Sequence, residues 1–85
     1  MTPRQEVSDA LITEWKDSGH KYKVIAAHIA EWARKQERGT VLENNEFFAG
    51  NIPFTASVEP WQRAKIFLAH HGVIYNDDGR PYQVA

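Results

Sequence analysis

The stretch Ser57-Val58-Glu59-Pro60-Trp61-Gln62-Arg63-Ala64-Lys65-Ile66-Phe67-Leu68-Ala69-His70-His71-Gly72-Val73-Ile74-Tyr75 decides how this chain is read. Trp61, Ala64 and Leu68 recur at intervals of three and four, with Phe67 beside them. That is the apolar stripe of one helix face. A helix is expected over 57–71. Its start has two candidates: Ser57 is the better capping residue, whereas Pro60 prefers the first helical position. Gly72 closes the helix. Val73-Ile74-Tyr75 then suits a strand, and Asn76-Asp77-Asp78-Gly79 a turn, because Asp-Gly is a strong hairpin signal. Pro81-Tyr82-Gln83-Val84 is the expected return strand, with Pro81 where no ladder donor is needed.

Upstream, a short helix is expected over Asn45–Ala49, carrying Phe47 and Phe48. Asn44 or Asn45 caps it, and Gly50-Asn51-Ile52-Pro53 breaks it. The segment 40–42 is a short extended link. Before it, Ile25, Ala26, Ile29, Trp32 and Ala33 mark a helix over 22–36. Arg34, Lys35 and Arg38 sit in or after its last turn, where cations suit the negative dipole end, and Gly39 ends it. Val7, Leu11 and Trp15, spaced by four with Ala10 and Ile12 alongside, predict a first helix over 3–17. Pro3 suits its first turn, and Ser18-Gly19-His20 stops it with Gly19 as the cap. The expected fold class is mainly α with a small β-hairpin.

A chain of 85 residues is expected to form one domain, 1–85. It contains no cysteine, so disulfides and thiolate metal sites are excluded. Its core must come from apolar residues, and the three Trp, three Tyr and four Phe supply much of the bulk. Ten Lys and Arg against eleven Asp and Glu leave a net charge of −1. That counts against strong non-specific attraction to nucleic acid but leaves room for a local basic surface. No apolar run is long enough for a membrane span, and the first residues lack the apolar stretch of a signal peptide. A cytoplasmic protein is expected.

Three helices followed by a two-stranded hairpin is the winged helix order, and the residues resemble the GntR-type winged helix domain of bacterial regulators. Tyr22-Lys23-Val24-Ile25-Ala26 with Ile29 resembles that family's opening helix, and Gly39-Thr40-Val41-Leu42 its Gly-x-x-Leu link. Asn44 to Ala49 corresponds to Ser-Glu-x-x-Leu-Ala, with Asn44 at the capping Ser. Ser57, Trp61, Arg63, Ala64 and Leu68 are spaced like the Ser, Val, Arg, Ala and Leu of the recognition helix. Gly72-Val73-Ile74 and Gly79-Arg80 are similar to the wing's Gly-Leu-Ile and Gly-Arg. The match covers about residues 22–85. Pro60 stands where the family usually has Thr, and Val58 where it usually has a basic residue. The helix over 3–18 is additional to a winged core over 21–85, whose wing is 73–85, and no effector domain is seen.

The resemblance implies a sequence-specific regulator that binds double-stranded DNA, with helix 57–71 in the major groove. If Trp61, Ala64 and Leu68 face the core, Glu59, Gln62, Arg63 and Ile66 point away from it. Gln62 suits adenine, and Arg63 suits guanine or a phosphate; both also suit plain solvation. Arg80 at the wing tip reaches toward the minor groove or backbone, or is an exposed turn charge beside Asp77 and Asp78. Asn44, Asn45 and Ser57 either meet phosphates at helix N-termini or only cap them. Lys21 and Lys23 are backbone candidates or part of a solvated face.

No enzymatic activity, cofactor or metal is expected. His20, His28, His70 and His71 lack the i, i+4 spacing of a helical zinc pair, and Asn76, Asp77 and Asp78 lack the rest of a calcium loop. The stripe of the N-terminal helix packs on the domain's own core or forms a homodimer interface. Two other readings stay open: a winged helix used for protein contact, as an adaptor or inhibitor, and an architectural, excisionase-like DNA-bending protein. Small size points to a phage, plasmid or other mobile element.

Overall fold

The first helix is set by Ser8, whose hydroxyl accepts the Leu11 N–H at 3.1 Å. The computed structural model describes residues 7–77 and 79–85. In it α1 runs Asp9–Asp17, not from residue 3. The serine satisfies a donor of the first turn, and Val7 stands ahead of the helix. The expectation for Pro3 lies outside the described residues. The buried face of α1 is Ile12 and Trp15, while Leu11 is half-buried. Gly19, at φ 79°, follows the C-cap Ser18 in the left-handed conformation.

The second helix, α2 (Lys21–Ala33), buries Ile25, Ala26, Ala27, Ile29, Ala30 and Ala33. It packs against both α1 and α4 (Val58–His70), and its four alanines let both neighbours approach closely. It ends three residues before the expected 36. There Lys35 and Gln36 donate to the carbonyls of Trp32 and Ala33, a tightening into three-residue turns. Arg34, just past the end, pairs with Asp9 and with the Val7 carbonyl, and Lys16 pairs with Glu31. These contacts tie α1 to α2 at the surface, where ion pairs contribute little.

Asn44 caps α3 (Asn45–Ala49) by accepting the Phe47 N–H at 3.0 Å. Phe48 is the buried anchor, with Trp32 edge-on at 5.5 Å. In α4, Trp61, Ala64 and Leu68 are buried, as their spacing requires. Ser57 adopts the N-cap conformation but makes no side-chain capping bond, and Pro60 takes the third helical position, so the helix is 58–70 instead of 57–71. Its C-terminus is a paired turn: Val73 N–H donates to Leu68 C=O and Gly72 N–H to Ala69 C=O. Gly72, at φ 73°, is the left-handed residue this motif requires.

That turn launches β1 (Ile74–Tyr75), which pairs antiparallel with β2 (Gln83–Val84), Ile74 opposite Val84 and Tyr75 opposite Gln83. The strands are shorter than the expected 73–75 and 81–84. Their connection is the segment 76–82, longer than the expected turn 76–79, and Arg80 N–H donates to Asp77 C=O at 2.8 Å within it. The role expected of Asp78 lies outside the described residues.

The expected extended link also pairs. Val41 bridges Gln83, Val84 N–H donates to Thr40 C=O at 2.8 Å, and Leu42 N–H donates to Tyr82 C=O at 2.9 Å. β2 is thus flanked on both sides. The protein is mainly helical with a small two-stranded antiparallel hairpin. One core joins Ile12, Trp15, Ile25, Ile29, Phe48, Trp61, Leu68, Ile74 and Val84. Among the described residues no polar or charged residue is buried, and no helix is long and apolar enough to cross a membrane.

Candidate nucleic-acid interface

Because Trp61, Ala64 and Leu68 face inward, the opposite side of α4 is left open. Glu59, Gln62, Arg63 and Ile66 are all exposed there, Ile66 at 54%. The geometry therefore brings three of the sequence-derived site residues onto one surface. Ser57, exposed at the N-terminus of the same helix, extends it.

Arg63 is held from two sides. One N–H donates to the Glu59 carboxylate at 3.3 Å, one turn earlier on α4. Its guanidinium carbon also lies over the Tyr22 ring, 5.6 Å from the centroid. Tyr22 comes from the first turn of α2, so this contact is invisible to the periodicity of α4. Together with Gly19, His20, Lys21 and Pro60, these residues line an open cleft between the start of α2 and the start of α4.

Asn45 is engaged as well. Its side-chain oxygen accepts from the Lys65 ammonium at 2.9 Å, which fastens α3 to α4. Burial holds the Lys65 pKa below the usual lysine value. Asn44 spends its oxygen on the cap of α3. Both asparagines thus have structural work that leaves their amide donors for another partner. Arg80 is exposed in the 76–82 loop. Sequence reasoning did not single out Tyr22 or Lys65 as partners of the site; only through-space neighbours reveal them.

Electrostatically the outward face of α4 is balanced, since Glu59 offsets Arg63; in the 76–82 loop Asp77 lies one turn from Arg80. Val58, 63% exposed, and Ile66 add apolar surface. Among the described residues no group of three or more His, Asp or Glu is arranged to hold a metal. Compared with protein-family models, with curated proteins and with solved structures, the chain matches none.

Proposed function

We propose that this chain is a winged helix-turn-helix domain that binds double-stranded DNA as a transcriptional regulator, without catalytic activity, in the cytoplasm. The observation that carries this reading is the outward face of α4, where Gln62 and Arg63 stand clear of the core. Base recognition needs such donors on a helix narrow enough to enter the major groove. In this reading α3 and α4 form the helix-turn-helix and the loop 76–82, with Arg80, is the wing on the minor groove or backbone. The pairing of 40–42 with β2 supports the assignment, because it braces the wing against the segment that leads into α3. α1 is an addition to that core. Ile12 and Trp15 are buried within one chain and Leu11 packs against the same core, which favours the stripe of α1 covering its own domain over a homodimer interface.

Titration of random-sequence duplex DNA at about 50 mM and about 200 mM salt tests this directly. The expected result is binding that weakens steeply with salt and is reduced in Arg63→Ala and Arg80→Ala. Absence of binding at micromolar protein in the lower salt would overturn it. A second reading, a winged helix that contacts protein, is favoured by the exposed Val58 and Ile66 and by the Arg63–Glu59 pairing. It gains if the duplex titration is flat.

A further inference from the structure

We propose that Tyr22 is a positioning residue for Arg63, so that base selection by α4 depends on a ring supplied by α2. The proposal rests on the DNA-binding reading and deepens it. A free arginine on a helix surface samples many rotamers, and ordering it on contact with a base weakens discrimination. Here two restraints from different elements act before any ligand arrives. Glu59 takes one of the guanidinium N–H groups at 3.3 Å, and the Tyr22 ring lies beneath the guanidinium at 5.6 Å. Guanidinium groups favour such aromatic faces. Five donors less one leaves enough for a bidentate pair with guanine.

The platform is itself held. Phe67 meets Tyr22 edge-on at 5.6 Å and 83°, and Trp15 meets Phe67 at 4.9 Å and 69°. Trp15 is 3% exposed. A line of rings therefore runs from α1 through α4 to α2 and ends under Arg63. This gives the added N-terminal helix a consequence at the reading surface that needs no contact between α1 and DNA.

The test has one arm with DNA and one without. Sequences are selected from a random duplex pool by the full chain and by its Arg63→Lys, Tyr22→Phe and Tyr22→Leu variants. Arg63→Lys marks the base position that Arg63 reads. Tyr22→Leu is expected to lose preference at that same position by about fivefold or more, with an unchanged salt slope because no charge is removed. Tyr22→Phe, which keeps the ring, retains it. Tyr22→Met replaces Tyr22→Leu if the latter does not fold. Without DNA, nitrogen relaxation of the Arg63 Nε–H is expected to report an ordered side chain in the parent and in Tyr22→Phe, and a mobile one in Tyr22→Leu.

Three results would overturn the proposal. One is an Arg63 equally mobile in the parent and in Tyr22→Leu. Another is retained base preference in Tyr22→Leu. The third is a loss spread evenly over all sequences. An ordered Arg63 with no duplex binding would instead overturn the DNA reading, and the specificity role with it.

Discussion

Trp15 of α1 and Phe67 of α4 meet edge to face, ring centroids 4.9 Å apart, so the first helix is packed into the same core as the last. Trp15 also touches His71 at 5.1 Å. Trp15→Ala should therefore cost about 3–5 kcal/mol, the range for losing a large buried aromatic. In a small domain that is a large part of the total stability. Urea unfolding followed by far-UV circular dichroism measures it. A loss under about 1 kcal/mol would mean that α1 is not integral to the core.

Ile66 gives the opposite case. Its side chain is 54% exposed on the α4 surface, so Ile66→Lys should change stability by no more than about 0.5 kcal/mol. It adds one cation where the proposed groove contact lies. Binding to random duplex DNA should tighten at low salt, and the slope of log affinity against log salt should steepen by about one. Unaltered binding would argue that this face does not meet phosphates.

Two glycines separate conformational need from convenience. Gly50 lies at φ −64° and ψ −20°, and an added Cβ would meet nothing within 4 Å. Gly50→Ala should stabilise the protein by about 0.4–1 kcal/mol, since it restricts mainly the unfolded chain. Gly39, at φ +89°, also has open space around it. There an alanine is strained by the backbone alone, and Gly39→Ala should cost about 1–2 kcal/mol. Melting temperatures that move in the same direction for both would contradict the backbone geometry.

His28, half-buried on α2, carries a pH signature. Burial pushes its pKa below the ordinary 6.5, Lys16 adds to the effect, and Glu31 opposes it. The fold therefore favours the neutral ring, and unfolding takes up a proton between the two pKa values. Its contribution to stability is full above about pH 6.5, declines as the pH falls toward the folded value, and is gone below it. His28→Gln should shrink the drop in urea midpoint between about pH 7.5 and about pH 5. An identical drop in both proteins would remove His28 as the cause.

Local patterns made much of this legible. The Trp61, Ala64 and Leu68 stripe fixed which side of α4 faces inward, and the Asn44-Asn45 pair announced the cap of α3, which Asn44 supplies. What stayed hidden depended on partners distant in sequence. The link 40–42 reads as extended, but its pairing with Tyr82–Val84 needs the folded chain. The Val7, Leu11 and Trp15 stripe looks helical throughout, but Ser8 caps α1 one residue inside it, so the helix starts at Asp9. Arg63 could be placed on the outer face from spacing alone. Its seat on Tyr22 could not, because that contact spans 41 positions and follows from how α2 crosses α4.

The flanked position of β2 has a consequence for synthesis. Gln83 and Val84 pair with β1, and together with Tyr82 they supply the partners of 40–42. While residues 83 and 84 remain inside the ribosome, the helices can associate but the sheet has no middle strand. Val84, fully buried in the finished protein, is then missing from the core. The nascent chain must therefore hold its apolar helix faces together provisionally until almost all of these 85 residues have emerged.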